Sequence, residues 1–156
     1  MSVDDVTTVL DRAGARYEVI HHEHTESALA EAQAVGAAPD EVAKTLIVAT
    51  PGGYLRAVVA ASERVDLAKL RELVGAGKKQ VHLASEDDLA HEYPEFDLGA
   101  VPPFGGTHED PVIVDESLAK HDRVIVEAGS HEESVRLSVD DLVRVTHAEV
   151  ADIVVD

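Results

Sequence analysis

The sequence predicts an α+β fold: a single domain over residues 1–156 whose strands form a largely antiparallel or mixed sheet. Three observations carry this. The chain is 45% apolar at 156 residues, enough to bury a core in one domain. Strand-like runs and helical periodicities are interleaved along it, with no repeat, linker or low-complexity tract. Several strand runs are joined by turns too short to hold a crossover helix, which favours antiparallel pairing over a doubly wound parallel sheet.

The elements follow in order. Ser2 is placed to cap a helix whose Val6, Val9 and Leu10 share one face, and Gly14 ends it. Residues 16–22 alternate as a strand. Thr25 is expected to cap a second helix with Ala28, Leu29, Ala32 and Val35 as its apolar stripe and Gly36 as its stop. Pro39 opens a short helical piece. Residues 44–50 and 54–61 are apolar strands around Pro51-Gly52-Gly53, so they read as a hairpin. Asp66 caps a helix that buries Leu67, Leu70, Leu73 and Val74 and breaks at Gly75. Residues 81–84 form a short strand, and Ser85 starts a helix to Glu92. Residues 93–107 hold three prolines and three glycines and read as loop. Strands at 111–115, 123–128 and 134–137 follow, with residues 129–133 as a turn. Ser138 caps a last helix, and residues 150–155 are strand or helix.

Composition excludes some functions. There is no Cys, which removes disulfides, thiolate metal sites and cysteine nucleophiles. No stretch approaches the roughly 18 apolar residues of a membrane span, and no signal peptide opens the chain, so the expectation is a cytoplasmic protein with no membrane partner. The net charge is −18, from 31 acidic against 13 basic residues. That repels nucleic acid at long range and argues against DNA binding or general RNA coating. A salt-rich cytoplasm or a biased genome would each produce this composition.

Three places could carry chemistry. Lys44 stands at the entrance of the apolar run Leu46-Ile47-Val48-Ala49. An ammonium there either snorkels to water or waits for an anionic ligand. The segment Leu98-Gly99-Ala100-Val101-Pro102-Pro103-Phe104-Gly105 is long for a plain connection. Its prolines stiffen it and its glycines allow close backbone approach, so its bare amides suit polarisation of an ester or carboxylate carbonyl. Gly129-Ser130-His131 is a turn directly after an apolar strand, where functional residues collect. No Walker loop, G-x-S-x-G elbow or H-E-x-x-H occurs. His22 and His24 share one face if the strand continues through them, which leaves a metal-dependent hydrolase as a weaker alternative.

In order and spacing these features resemble the YbaK/ProRS-associated editing-domain family, the aminoacyl-tRNA deacylases, over nearly the whole chain. Tyr17-Glu18-Val19-Ile20-His21-His22 is similar to the family's first strand. Thr25-Glu26-Ser27-Ala28-Leu29-Ala30-Glu31-Ala32 resembles its T/S-x-x-x-A-A helix, with Leu29 where small residues are usual. Val42-Ala43-Lys44-Thr45-Leu46 matches its V-x-K-T-L segment, the most specific of the set. Gly99-Ala100-Val101-Pro102-Pro103 resembles its G-x-x-x-P loop, and Ala128-Gly129-Ser130 with Leu137-Ser138-Val139-Asp140-Asp141-Leu142 its closing hairpin and helix.

The resemblance implies a mixed, largely antiparallel, barrel-like sheet with surrounding helices, and hydrolysis of the ester that joins a wrong amino acid to the 3′-terminal adenosine of tRNA, with water as nucleophile and no cofactor or metal. It implies catalytic roles for Lys44, Gly99 and Pro103. It sets Thr45, Ala100, Val101, Gly129, Ser130 and His131 against the substrate, His131 being a position where family members differ. Mischarged tRNA is the implied partner, with an aminoacyl-tRNA synthetase as a second. A non-catalytic binding module of the same fold is the competing reading. Such an ester is already activated, so positioning and oxyanion stabilisation suffice without a triad. For the RNA itself, Arg64, Lys69, Arg71, Lys78 and Lys79 face only Asp66 and Glu72, five bases against two acids, a local charge of +3. This segment is the expected approach path for a phosphate backbone.

Overall fold

Strand β3 is the spine of the molecule, because every residue from Leu55 to Ala60 is buried. The computed structural model describes residues 3–156. The chain runs α1 (Val3–Arg12), β1 (Tyr17–His21), α2 (Ala28–Val35), β2 (Ala43–Thr50), β3 (Gly53–Ala60), α3 (Leu67–Val74) and β4 (His82–Leu83). It continues through α4 (Glu86–Glu92), β5 (Val112–Asp115), β6 (Arg123–Ser130), β7 (Glu133–Ser138), α5 (Val139–Thr146) and β8 (Glu149–Ala151). Single 3-10 turns sit at Pro39–Glu41 and Leu118–Lys120.

One sheet has the order β1-β7-β6 and is antiparallel throughout. The other has the order β4-β2-β3-β5-β8, antiparallel from β4 to β3 and parallel from β3 to β8. A bridge between Val42 and Ile125 joins the two sheets. The result is the expected mixed, barrel-like α+β fold, left short of a closed barrel.

Alternation along β3 builds two cores at once. Val58 and Ala60 pack with Val124, Val126, Ala128, Val135 and Leu137 of the other sheet, and Leu10 and Leu142 of the flanking helices close that layer. Leu55, Ala57 and Val59 pack on the opposite face with Leu70 of α3 and Ile153. The hairpin of β2 and β3 forms as its turn sequence requires, with Thr50 opposite Gly53.

Most caps match expectation. The Asp66 carboxylate accepts from the N–H groups of Ala68 and Lys69. Ser85 forms a capping box with Asp88, and Ser138 accepts from Asp141 N–H. Gly36 and Gly75 end their helices in the left-handed region. The expected Ser2 cap lies outside the described residues.

Four expectations are corrected. Ser27, not Thr25, caps α2; Thr25 instead donates through its N–H and its hydroxyl to the carbonyl of His131. Leu73 and Val74 are exposed, because α3 covers the sheet with Leu70 and its last turn runs past the edge. Gly129 and Ser130 belong to β6, and the turn is only His131 and Glu132. Strand β1 ends at His21, so His22 and His24 do not share a strand face.

Candidate active site

The site lies where the ladder around β2 is interrupted. At its start the strand reaches β6 through the bridge at Val42, and farther on β4 pairs only with Val48 and Ala49. Between these points a cavity of about 270 Å³ opens, lined by Lys44, Thr45, Leu46 and Ile47 of β2, Glu127 of β6, and Gly99 and Val101 of the long loop. Ser27 and Ala28 at the start of α2 and Leu83, Ala84 and Leu89 complete it. A larger cleft of about 600 Å³, lined by His121, Arg123 and Arg136 among others, lies at the start of β6, and none of the predicted catalytic residues lines it.

Lys44 is half-buried and forms no hydrogen bond or ion pair with any described residue. Burial lowers its pKa, the neighbouring Arg64 lowers it further, and Glu63 opposes them. An ammonium that is partly desolvated and unpaired is electrostatically unsatisfied, which is the condition for drawing in an anionic or strongly polar ligand group.

The loop is pinned from two sides. On one side it is laced to the β6–β7 hairpin: Asp97 N–H donates to Gly129 O, Gly129 N–H to Ala100 O, and His131 N–H to the Asp97 carboxylate. The His131 ring Nε2 lies 2.6 Å from Leu98 O. On the other side Arg56, only 1% exposed, spreads its guanidinium over the loop. It donates to Pro102 O at 2.9 Å, Gly105 O at 2.9 Å and His108 O at 3.3 Å, and pairs with Asp110 at 3.0 Å. The Tyr93 hydroxyl donates to the same Asp110 oxygen.

These anchors use the carbonyls and leave amides over. The N–H groups of Gly99 and Val101 donate to no described residue, and Pro102 and Pro103 have none to donate. Gly99 sits at φ +80°, a conformation that side chains resist. A Cβ there would rest 3.6 Å from the His131 ring, an ordinary contact. Glycine is therefore needed for its backbone angle, and not for the close approach that the sequence suggested.

The predicted residues divide. Lys44, Thr45, Gly99 and Val101 line the cavity. His131 is buried and packs beside Gly99, and its ring lies 5.1 Å from that of His24. Ala100 and Gly129 act through the backbone bond between them. Ser130 bonds Glu133 across the hairpin turn. Pro103 is buried on the far side of the loop, beside Arg56 and Phe104.

In the basic segment, Arg64, Lys78 and Lys79 are exposed. Lys69 leaves that group: its ammonium is held by Asp152, Asp156 and the carbonyl of Val154, and those contacts raise its pKa. His22 faces Ser134 and His24 faces Glu26, so the two imidazoles turn to different partners.

The residues that sequence reasoning missed are buried charges inside apolar runs. Arg56 is one. Glu31 and Glu127 are the others, 1% and 7% exposed. Burial and the adjacent Glu31 carboxylate push Glu127 up to about 9, so it is protonated at neutral pH. Burial raises Glu31 too, against the Ser134 hydroxyl that donates to it.

Comparison with known proteins decides the family. The model of the aminoacyl-tRNA editing domain matches residues 22–145. The chain belongs to the aminoacyl-tRNA editing domain family. An uncharacterized protein of Bacillus subtilis (strain 168), YwhH, is 27% identical over 153 residues, covering 96% of this chain and 94% of the relative. The prolyl-tRNA editing protein ProX of Acetoanaerobium sticklandii is 31% identical over 115 residues, covering 70% of this chain and 68% of that protein. Among solved structures, a candidate trans-editing enzyme for prolyl tRNA synthetase superposes with a TM-score of 0.87 at 27% identity, covering 99% of this chain and 97% of that one. No described helix is long and apolar enough to cross a membrane. An editing domain acts on aminoacyl-tRNA, and three of the five motifs reach the cavity here, through Ser27 and Ala28, through Lys44, Thr45 and Leu46, and through Gly99 and Val101.

Proposed function

We propose that this chain hydrolyses the 3′-ester of mischarged aminoacyl-tRNA in trans. The observation that carries the reading is the pairing, on one cavity, of an unpartnered ammonium at Lys44 with unpartnered amides at Gly99 and Val101. Lys44 holds the phosphate or carbonyl end of the aminoacyl-adenosine. The loop amides receive the carbonyl oxygen as a water oxygen adds to the carbon and the oxyanion forms. The adding water gives up one proton, the bond from carbon to the ribose oxygen breaks, that oxygen takes the proton the water gave up, and free amino acid and tRNA leave. Every group used is a backbone amide, an ammonium, a water or the substrate's own ribose hydroxyl. The name of the ProX relative makes tRNA charged by prolyl-tRNA synthetase the first substrate to try, with that synthetase as the partner to test.

The test is release of amino acid from a panel of mischarged tRNAs, with and without chelator. Turnover of at least one, unchanged by chelator, is expected. Binding without turnover across the panel would instead make the chain a non-catalytic module, and loss of turnover in chelator would point to a metal.

Two substitutions probe the parts. Gly99→Val forces a branched side chain into a positive-φ position at a cost of about 1–3 kcal/mol, which the loop relieves by shifting. The expected result is a drop in kcat of roughly 10²-fold with the oxyanion contacts misplaced; normal turnover would show that the loop amides are not the carbonyl's partners. Lys78→Glu with Lys79→Glu is expected to raise KM several-fold while kcat is nearly kept, as for lost uniform binding. With Lys69 occupied, few phosphates are neutralised, so the salt dependence of KM should be shallow. An unchanged KM at low salt would place the tRNA body elsewhere.

A further inference from the structure

We infer that Glu127 is the residue that receives the α-amino group of the acyl moiety. This rests on the deacylase reading of the cavity and adds its specificity for an amino acid ester. Glu127, on β6, is the one carboxyl among the described residues that line the cavity. No ion pair joins it to Lys44, so the cavity lining offers one cationic and one acidic group that do not neutralise each other. Most of the rest of the lining is apolar, with Ala28, Ile47, Leu83, Leu89 and Val101 among it and Ser27 and Thr45 as its neutral polar members. Behind it, on α2, stands Glu31, whose Oε2 accepts from Ser134 and whose Oε1 is buried without a hydrogen-bond partner. His22 bonds Ser134 from the other side, and His131 lies at the hairpin tip.

An aminoacyl ester brings one basic group into any such cavity, its α-amine. A carboxylic acid held beside a second carboxyl can take it without burying net charge. The proton moves from Glu127 to the neutral amine, and the resulting ammonium and carboxylate face each other; no other bond changes. Either partner alone would be a costly buried ion, and the pair is not. Lys44 holds an oxygen of the ester or phosphate. The two contacts together fix the direction in which the acyl group enters, which positions its carbonyl at the loop amides. Acyl groups lacking the amine leave Glu127 without its partner.

The test uses two stable mimics in which an amide replaces the ester: 3′-alanylamino-3′-deoxyadenosine, and its lactoyl counterpart with a hydroxyl for the amine. Calorimetric titration of wild type should show tighter binding of the amine by roughly tenfold or more, the size expected of a hydrogen bond to a charged group. Glu127→Gln keeps the size and the neutrality of the native acid, and should bind both mimics within about twofold of each other. Equal binding by wild type, or a preference that survives in Glu127→Gln, overturns the inference and leaves the deacylase reading standing. No binding of either mimic also overturns it. Amine preference lost in the variant, together with no turnover of any mischarged tRNA, keeps the inference and overturns the deacylase reading. Should Glu127→Gln fail to fold, the wild-type comparison of the two mimics still decides.

Discussion

Lys44→Ala is expected to lower kcat/KM for mischarged tRNA by at least about 100-fold, the scale of losing one preorganised electrostatic contact in a desolvated site. The fold should persist. Lys44 makes no hydrogen bond or ion pair to lose, and its side chain lines a cavity. Burial holds its pKa below the ordinary lysine value, so the charged form is slightly disfavoured in the folded state. Removing it therefore relieves desolvation, and the melting temperature should stay within a few degrees of wild type. Lys44→Arg should recover little, because a planar fork needs more room than a compact ammonium and presents its donors differently. Turnover by the alanine variant near the wild-type rate would remove Lys44 from the mechanism.

Arg56→Met should do the opposite: damage stability first and activity through it. The guanidinium is the shared donor for three loop carbonyls and the counter-ion of Asp110. Its removal leaves a carboxylate side chain, 6% exposed, with the Tyr93 hydroxyl and a distant His108 as partners. Breaking a buried pair from one side costs about 3–5 kcal/mol, and a chain of this size should melt about 10 °C lower. At temperatures where the variant is still folded, kcat should fall as well, because the loop bearing Gly99 and Val101 loses its clamp. Arg56→Lys should rescue poorly, since one ammonium cannot reach carbonyls at Pro102, Gly105 and His108 together. A melting temperature within about 2 °C of wild type would show that the clamp is not what holds the loop.

Arg56 also shows why part of the site was hidden. Lys44 is conspicuous in the sequence because it is a cation at the edge of an apolar run. Arg56 sits inside an equally apolar run, between Leu55 and Ala57, and Glu127 stands between Val126 and Ala128. In strand interiors such a charge does not stand out, because side chains alternate between faces and a charged residue there is compatible with facing solvent. Lys69 is the converse. Its helix position suggests a free surface charge, but the tail residues Asp152 and Asp156 arrive from 83 and 87 positions away to hold it.

What the sequence determined by itself was local and periodic. The apolar run along 54–61, the turn at Pro51-Gly52-Gly53, the caps Asp66, Ser85 and Ser138, and the stops Gly36 and Gly75 are set by neighbours a few residues apart. Lys44 and the Pro/Gly loop stood out for the same reason. What only the tertiary structure decided were the pairings between distant segments. The cavity exists because β4 covers only part of β2 while β6 leaves it after Val42. The loop amides are free because Arg56 and the β6–β7 hairpin engage the carbonyls instead. Glu127 stays protonated because folding buries it and, secondarily, brings Glu31, 96 residues earlier, against it. Desolvation and charge proximity act through space, and no spacing along the chain encodes them.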